Sequence, residues 1–211
     1  MCYSAESSLN SFIVGSLSCA YLVFYSKNKY NHHIGLFLFS VILIQLLEFW
    51  MWSDQKCGWL NDFASRSVIF VLSLQLYVIF LGAYLYNTTI IPNDILKLLI
   101  IPLTLLFLYF SLFNYFSQKK NWCTKPNEND SLQWAHFNSV SSFGTYVYYG
   151  VFIITPFLFK DFWKGMIIFI AGLITFLFTR YPNINTSASR WCYFSSYLPA
   201  LFVIIDLLKL N

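Results

Sequence analysis

The sequence predicts an all-α fold: a polytopic transmembrane bundle of about seven helices. Three observations predict it. Of the 211 residues, 58% are hydrophobic and 21% aromatic but only 10% are charged, where a water-soluble domain carries about 25% charged residues. Apolar runs recur along the whole chain, each near the length that crosses a hydrocarbon core of about 30 Å at 1.5 Å per residue. The breaks between them are short and polar, so the runs consume most of the chain and leave a single domain, 1–211. Any chemistry then belongs between the spans or on the loops that cap them.

The first span covers 9–25, in a helix that starts after Ser4, a hydroxyl cap, with Glu6 in the first turn facing the positive end of the dipole. Lys27 to His33 breaks it. The second span, 34–52, carries Gln45 and Glu48 at i and i+3, on one side of the helix, with Trp50 and Trp52 suited to the membrane interface. A polar connection, Ser53 to Arg66, holds Cys57. The third span, 67–86, contains Ser73, Gln75 and Tyr77, and the fourth, 95–116, contains Pro102, a site for a kink. Ser117 to Ser141 is the longest polar segment and includes Trp122, Cys123, Trp134 and His136. The fifth span, 142–159, and the sixth, 162–178, are joined by Lys160-Asp161, which requires a tight antiparallel hairpin. After a segment containing Pro182, the seventh span covers 191–208 with Ser195, Ser196, Pro199 and Asp206.

Seven spans put the termini on opposite faces. Cys2, Cys57, Cys123 and the 180–190 connection share one face, called here the first; Lys27 to His33, Asn87 to Asn93, Lys160 and the carboxyl end share the second. Seven Lys and Arg fall on the first face and six on the second, too even a split for the positive-inside rule to orient the chain. A bridge between Cys57 and Cys123 is topologically allowed and would place the first face in an oxidising compartment. Asn185-Thr186-Ser187 is a formal glycan acceptor on that face, and Asn87-Thr88-Thr89 is an equally formal one on the other.

The net charge of +4 is scattered among connections without forming a run, which argues against nucleic acid as a partner. The amino end has no basic leader, so the first apolar run reads as a span and not as a signal peptide. Five cysteines show no C-x-x-C pair and no zinc spacing, and neither metal nor cofactor is expected. All three histidines lie in connections and the last span has no deep lysine, which argues against a metal-dependent intramembrane hydrolase and against a retinal protein. Membrane lipids are the expected partners, together with a lipid or small-molecule ligand.

Glu48 is the leading candidate, because a carboxylate in an apolar span must be paired, protonated or turned to water. It has two readings, an inward group or an interfacial one among the tryptophans. Gln45 is a natural relay for it, and Gln75 and Ser73 can complete a polar interior. Cys2 becomes an N-terminal cysteine if Met1 is removed, and its amine can then act as base toward its own thiol. Cys2, Glu48 and His136 share the first face and together form the catalytic candidate set, with Ser4, Gln45 and Gln75 as substrate-binding candidates; a buried or acylated cysteine and an exposed histidine are the competing readings. Asp206 is expected to pair with Lys209 at i+3, His32 and His33 to meet lipid headgroups, and Tyr146, Tyr148 and Tyr149 to form an aromatic belt. Arg180, Arg190 and Trp191 suit either a lipid phosphate or interfacial anchoring.

The opening Met1-Cys2-Tyr3-Ser4-Ala5, followed by Gln45, Glu48 and Trp50 at the end of the second span, resembles a family of small multi-span proteins of unknown function from bacteria and large DNA viruses. These begin Met-Cys-aromatic-Ser-Ala and carry a carboxylate near a tryptophan at this point. The resemblance covers about the first quarter of the chain. It implies that Cys2, Ser4 and Glu48 act together, and it implies no reaction. The abundance of Asn, Ile, Phe and Tyr fits an AT-rich genome such as a viral one.

Three functions compete on this reading. One is a non-enzymatic integral membrane protein: a receptor-like, scaffold or lipid-binding bundle. Another is a thiol hydrolase or acyltransferase using Cys2. The third is a channel or transporter with a polar path along Gln45, Glu48, Ser73 and Gln75.

Overall fold

The computed structural model describes residues 4–117, 122–127, 131–135, 142–180 and 186–208. Within them the chain is all-α, with one two-residue β-hairpin. Helix α1 (Ala5–Phe24) is capped by Ser4, whose hydroxyl accepts from the Ser7 amide at 3.1 Å. Helix α2 (Lys29–Ser53) starts earlier than its apolar run, because the Asn28 side chain caps it by accepting from the Tyr30 amide. The expected break at Lys27 to His33 therefore shrinks to residues 25–28, and Lys29 to His33 are helical.

Helix α3 (Trp59–Tyr86) likewise starts eight residues before Ser67. The expected connection Ser53 to Arg66 is really a tight turn, 54–58, in which Asp54 accepts from the amides of Gly58 (3.0 Å) and Asn61 (3.1 Å). Cys57 closes this turn at φ 62°, a left-handed conformation uncommon for a side-chain-bearing residue. At 28 residues α3 is about 42 Å long, longer than the hydrocarbon core, so its polar first turns stand outside that core.

Helix α4 (Asn93–Ser117) runs on through Pro102. Strands β1 (Lys125–Pro126) and β2 (Leu132–Gln133) form the hairpin. Helix α5 (Ser142–Ile154) tightens into a 3-10 turn at Thr155–Leu158, and α6 (Phe162–Arg180) returns immediately, the tight reversal that Lys160-Asp161 requires. The seventh span is not one helix: α7 (Ser187–Ser195) and α8 (Leu198–Leu207) meet at a turn over Ser196 and Tyr197. Pro199 explains the break, since it has no N–H to give the Ser195 carbonyl and its ring crowds that carbonyl.

Helix α2 is the hub. It packs along α1 and α3 and also touches α7 and α8, while α4 packs outside α3, and α6 against α7. Two apolar clusters fill the interior: one around Ile44, Met51, Val68 and Trp134 toward the first face, the other around Leu22, Ile34, Ile42 and Phe202 toward the second. Gly35 permits the close crossing of α1 and α2, since a Cβ there would meet the Leu22 Cβ at 2.9 Å. The outer surface is apolar, with Leu98, Leu105, Ile174 and Leu177 each more than half exposed. Among the described residues four helices are long and apolar enough to cross a membrane: α1, α2, α3 and Phe162–Thr179 of α6. The chain is a membrane protein by this measure, with four such helices against the seven spans expected; α5, α7 and α8 are each too short alone.

Candidate functional site

Glu48 is fully buried and turned inward, toward its neighbours near the end of α2. It lies on α2 five residues before the helix end, and its Oε2 accepts from the Gln45 amide nitrogen at 3.1 Å. Gln45 in turn accepts at Oε1 from the Ser11 hydroxyl of α1, 3.0 Å away. The other carboxylate oxygen, Oε1, accepts from the indole N–H of Trp134 at 3.0 Å. Trp134 follows directly on β2, so a residue of the long connection closes the end of the bundle over Glu48.

The cap that delivers Trp134 is built on the polar start of α3. The Asn61 amide donates to the carbonyls of Met51, Asp54 and Thr124, and its oxygen accepts from the Thr124 amide at 2.9 Å. Ser65 bonds both Asn61 and the Thr124 hydroxyl, and that hydroxyl accepts from the Ala135 amide at 3.2 Å. Asp62 holds the Trp122 amide and the Arg66 guanidinium, which also lies over the Trp122 ring. Cys57 and Cys123 are joined by a disulfide with Cα atoms 5.2 Å apart, fixing this segment to the α2–α3 turn.

Around Glu48 the interior is unusually rich in small polar groups. Ser8 and Ser11 share the buried side of α1, while Cys192 and Ser195, also i and i+3, are buried on α7. The hydroxyls of Ser8 and Ser195 have no hydrogen-bond partner among the described residues. Cys192 packs in the same cluster as Leu47 and Trp134.

Gln75 is buried on α3 and joins a separate pair: its Oε1 accepts from the Tyr148 hydroxyl and its amide reaches the Ser40 carbonyl at 3.4 Å. Tyr148 thus turns its hydroxyl inward onto α3. Ser73 does not join it; its hydroxyl folds back onto the Ile69 carbonyl. Of the catalytic candidates, Cys2 and His136 lie outside the described residues, as does the glycan acceptor Asn185. Ser4 is exposed and serves as the α1 cap, and Trp191 donates to Thr175 of α6 at 3.1 Å.

A second polar centre lies at the other end and was not foreseen. His33 is buried, its Nε2 against the Ile79 carbonyl (2.9 Å) and its Nδ1 against the Thr88 hydroxyl (2.7 Å). A carbonyl accepts only, so Nε2 carries a proton, while the Thr88 hydroxyl can donate to Nδ1 or accept from it; the ring is buried and not presented to headgroups. Asn31, also buried, donates to Asp206 (2.8 Å) and Ser26 (3.0 Å) and accepts from Lys164 (3.3 Å). Asp206 is therefore tied to α2, and to Tyr21 at 3.4 Å; its expected partner Lys209 lies outside the described residues. Beside His33 a small cavity of about 40 Å³ is lined by Phe37, Phe152 and Phe159 among others, room for a few waters at most.

Sequence reasoning singled out Glu48 and Gln45 but missed Trp134, Asn61, His33 and Asn31. The signal for the last two was Asn28, a capping residue that moves the start of α2 back over both. No group of three His, Cys, Asp or Glu gathers among the described residues. No protein-family model, curated protein or solved structure matches this chain.

Proposed function

We propose that the chain is a multi-pass integral membrane protein whose closed helical bundle acts as a lipid-embedded scaffold, with Glu48 fastening the first-face cap to the spans. The observation that carries this reading is the Glu48 carboxylate itself: fully buried, with both oxygens taken by Gln45 and Trp134. A group engaged in this way is structural glue of the kind that polar side chains supply between membrane helices. Below it, Val41, Ile42, Leu38 and Ile34 fill the α2 interior, each no more than 4% exposed, which supports a closed bundle over a conducting one. The test is alkaline extraction of membranes followed by accessibility mapping of engineered cysteines. The chain is expected to stay in the pellet, with Lys56 and Lys160 positions labelled from opposite sides; release by alkali, or labelling from one side, overturns the reading.

One observation favours a second reading, an enzyme using Cys2. The Ser4 end of α1 and the Trp134-Ala135 stem both lie at the Glu48 end of the bundle, so the segments leading to Cys2 and to His136 start from the same face. Intact mass of the natural protein decides it: retained Met1 or a blocked Cys2 amine eliminates an N-terminal nucleophile.

A further inference from the structure

We propose that Lys29 and Lys160 form a binding site for the phosphate group of an anionic membrane lipid at the second face. The site rests on the reading of the chain as membrane-spanning. Lys29 begins α2 and Lys160 lies between α5 and α6, yet both ammonium groups converge on one residue, Asn87. Lys29 Nζ donates to the Asn87 carbonyl at 3.3 Å, and Lys160 Nζ donates to the Asn87 side-chain oxygen at 2.6 Å and to the same carbonyl at 3.5 Å. Since both reach one oxygen, the two nitrogens stand closer together than the Debye length of about 8 Å at physiological salt and repel each other.

The convergence is built into the backbone. Asn87 ends α3 in the left-handed conformation at φ 49°, which turns the chain sharply out of the helix. A short antiparallel bridge then ties this turn to the Lys160 segment: the Ile90 amide bonds the Leu158 carbonyl and the Lys160 amide bonds the Thr88 carbonyl, both at 2.8 Å. The negative end of the α3 dipole offsets only about half a charge. Neither lysine has an ion-pair partner among the described residues. The neighbouring carboxylate, Asp161, is turned to the Lys164 amide of α6, 3.2 Å away. Two lysine side chains, both exposed, are thus held together on one asparagine.

Everything around the pair belongs to a membrane surface. Phe162 and Trp163 follow Lys160 and are 56% and 76% exposed, as aromatic rings at headgroup depth are. Lys29 also lies 5.5 Å from the Tyr30 ring centre. The Cys57–Cys123 bond assigns the opposite face to an oxidising compartment, which puts this one on the cytoplasmic side, where the leaflet carries the anionic lipids. A lipid phosphate between the two ammonium groups satisfies the charge and the geometry together.

The experiment uses the full chain in nanodiscs of phosphatidylcholine with or without phosphatidylserine, and counts phosphatidylserine retained on the protein by native mass spectrometry. Each surface lysine is worth about 1 kcal/mol toward anionic lipid, about five-fold in affinity. Lys29→Gln is expected to weaken retention about five-fold and the double variant with Lys160→Gln by more than twenty-fold, with Lys56→Gln on the opposite face unchanged. Unfolding of the double variant in pure phosphatidylcholine reports its fold separately. Equal retention by the wild type and a folded double variant overturns the site. So does lysine-dependent stabilisation by inorganic phosphate in phosphatidylcholine alone, which assigns the pocket to a soluble anion. If alkali strips the chain from membranes, the spanning reading itself fails, an outcome distinct from these two.

Discussion

The Trp134–Glu48 hydrogen bond joins a residue of the longest connection to the central helix, and a double-mutant cycle isolates it. Trp134→Phe keeps an aromatic ring in a site only 4% exposed but removes the indole donor 3.0 Å from Oε1. Glu48→Gln keeps the shape but replaces one acceptor oxygen with an NH₂ group, which must then face a donor from either Gln45 or Trp134. Hydrogen bonds to charged groups are worth about 1.5–3 kcal/mol in soluble proteins, while interhelical ones in bilayers average about 0.6. Undocking the cap exposes Trp134 to headgroups and water, not to hydrocarbon, so the coupling should fall between these, at about 1–2 kcal/mol. The assay is equilibrium unfolding of the four proteins in one lipid or detergent, with cap release followed by Trp fluorescence. Each single variant is expected to lose about 1–3 kcal/mol, and the double variant less than the sum. Additivity within about 0.5 kcal/mol means that the two side chains do not act as a pair and refutes the role assigned to Glu48.

Other perturbations probe the rest of the bundle. Cys57→Ser opens a covalent link across 66 residues; chain entropy sets a ceiling of about 4 kcal/mol on the loss, and helices that stay inserted after unfolding lower it, a shift measurable by thermal unfolding with and without reductant. Gly82→Ala places a methyl carbon 2.3 Å from the His33 ring, a ring pinned at both nitrogens, so about 1–3 kcal/mol of overpacking is expected, with partial rescue by His33→Ala in the same unfolding assay. Asn31→Ala removes the amide bridging Asp206, Ser26 and Lys164 and should cost about 2–3 kcal/mol; an unchanged midpoint disproves the bridge.

The all-α class and the α5–α6 reversal were legible in the sequence, because apolar run length and a two-residue connection leave few alternatives. Glu48 was legible because a charge in an apolar run stands out. Helix starts were not: Asn28 and Asp54 make caps that carry α2 and α3 back through residues whose polarity reads as loop. That is why His33 and Asn31 were placed at the surface and why Asn61 and Ser65 were left in a connection. Trp134 was hidden for a different reason. It lies 86 residues from Glu48, and nothing local in a polar loop marks which of its aromatic residues turns inward.

Asn31, His33, Ser40, Gln45 and Glu48 also account for the position of α2. At 100° per residue they spread over about half of the helix, an arc of about 180° opposite the exposed Phe39, and all five are buried. A helix with polar groups over so wide an arc can satisfy them only if several neighbours cover that arc. Each one indeed finds a different partner: Ser11 of α1 for Gln45, Gln75 of α3 for the Ser40 carbonyl, Trp134 of the cap for Glu48, Asp206 of α8 for Asn31, and Thr88 beyond α3 for His33. In lipid, apolar side chains gain little by leaving hydrocarbon for a helix interface, so hydrogen bonds of this kind choose which helices meet. The same reasoning makes α6, 17% buried across its apolar window, the outermost member of the set. Its polar links to other helices among the described residues include Lys164 to Asn31 and, near its other end, Thr175 to Trp191.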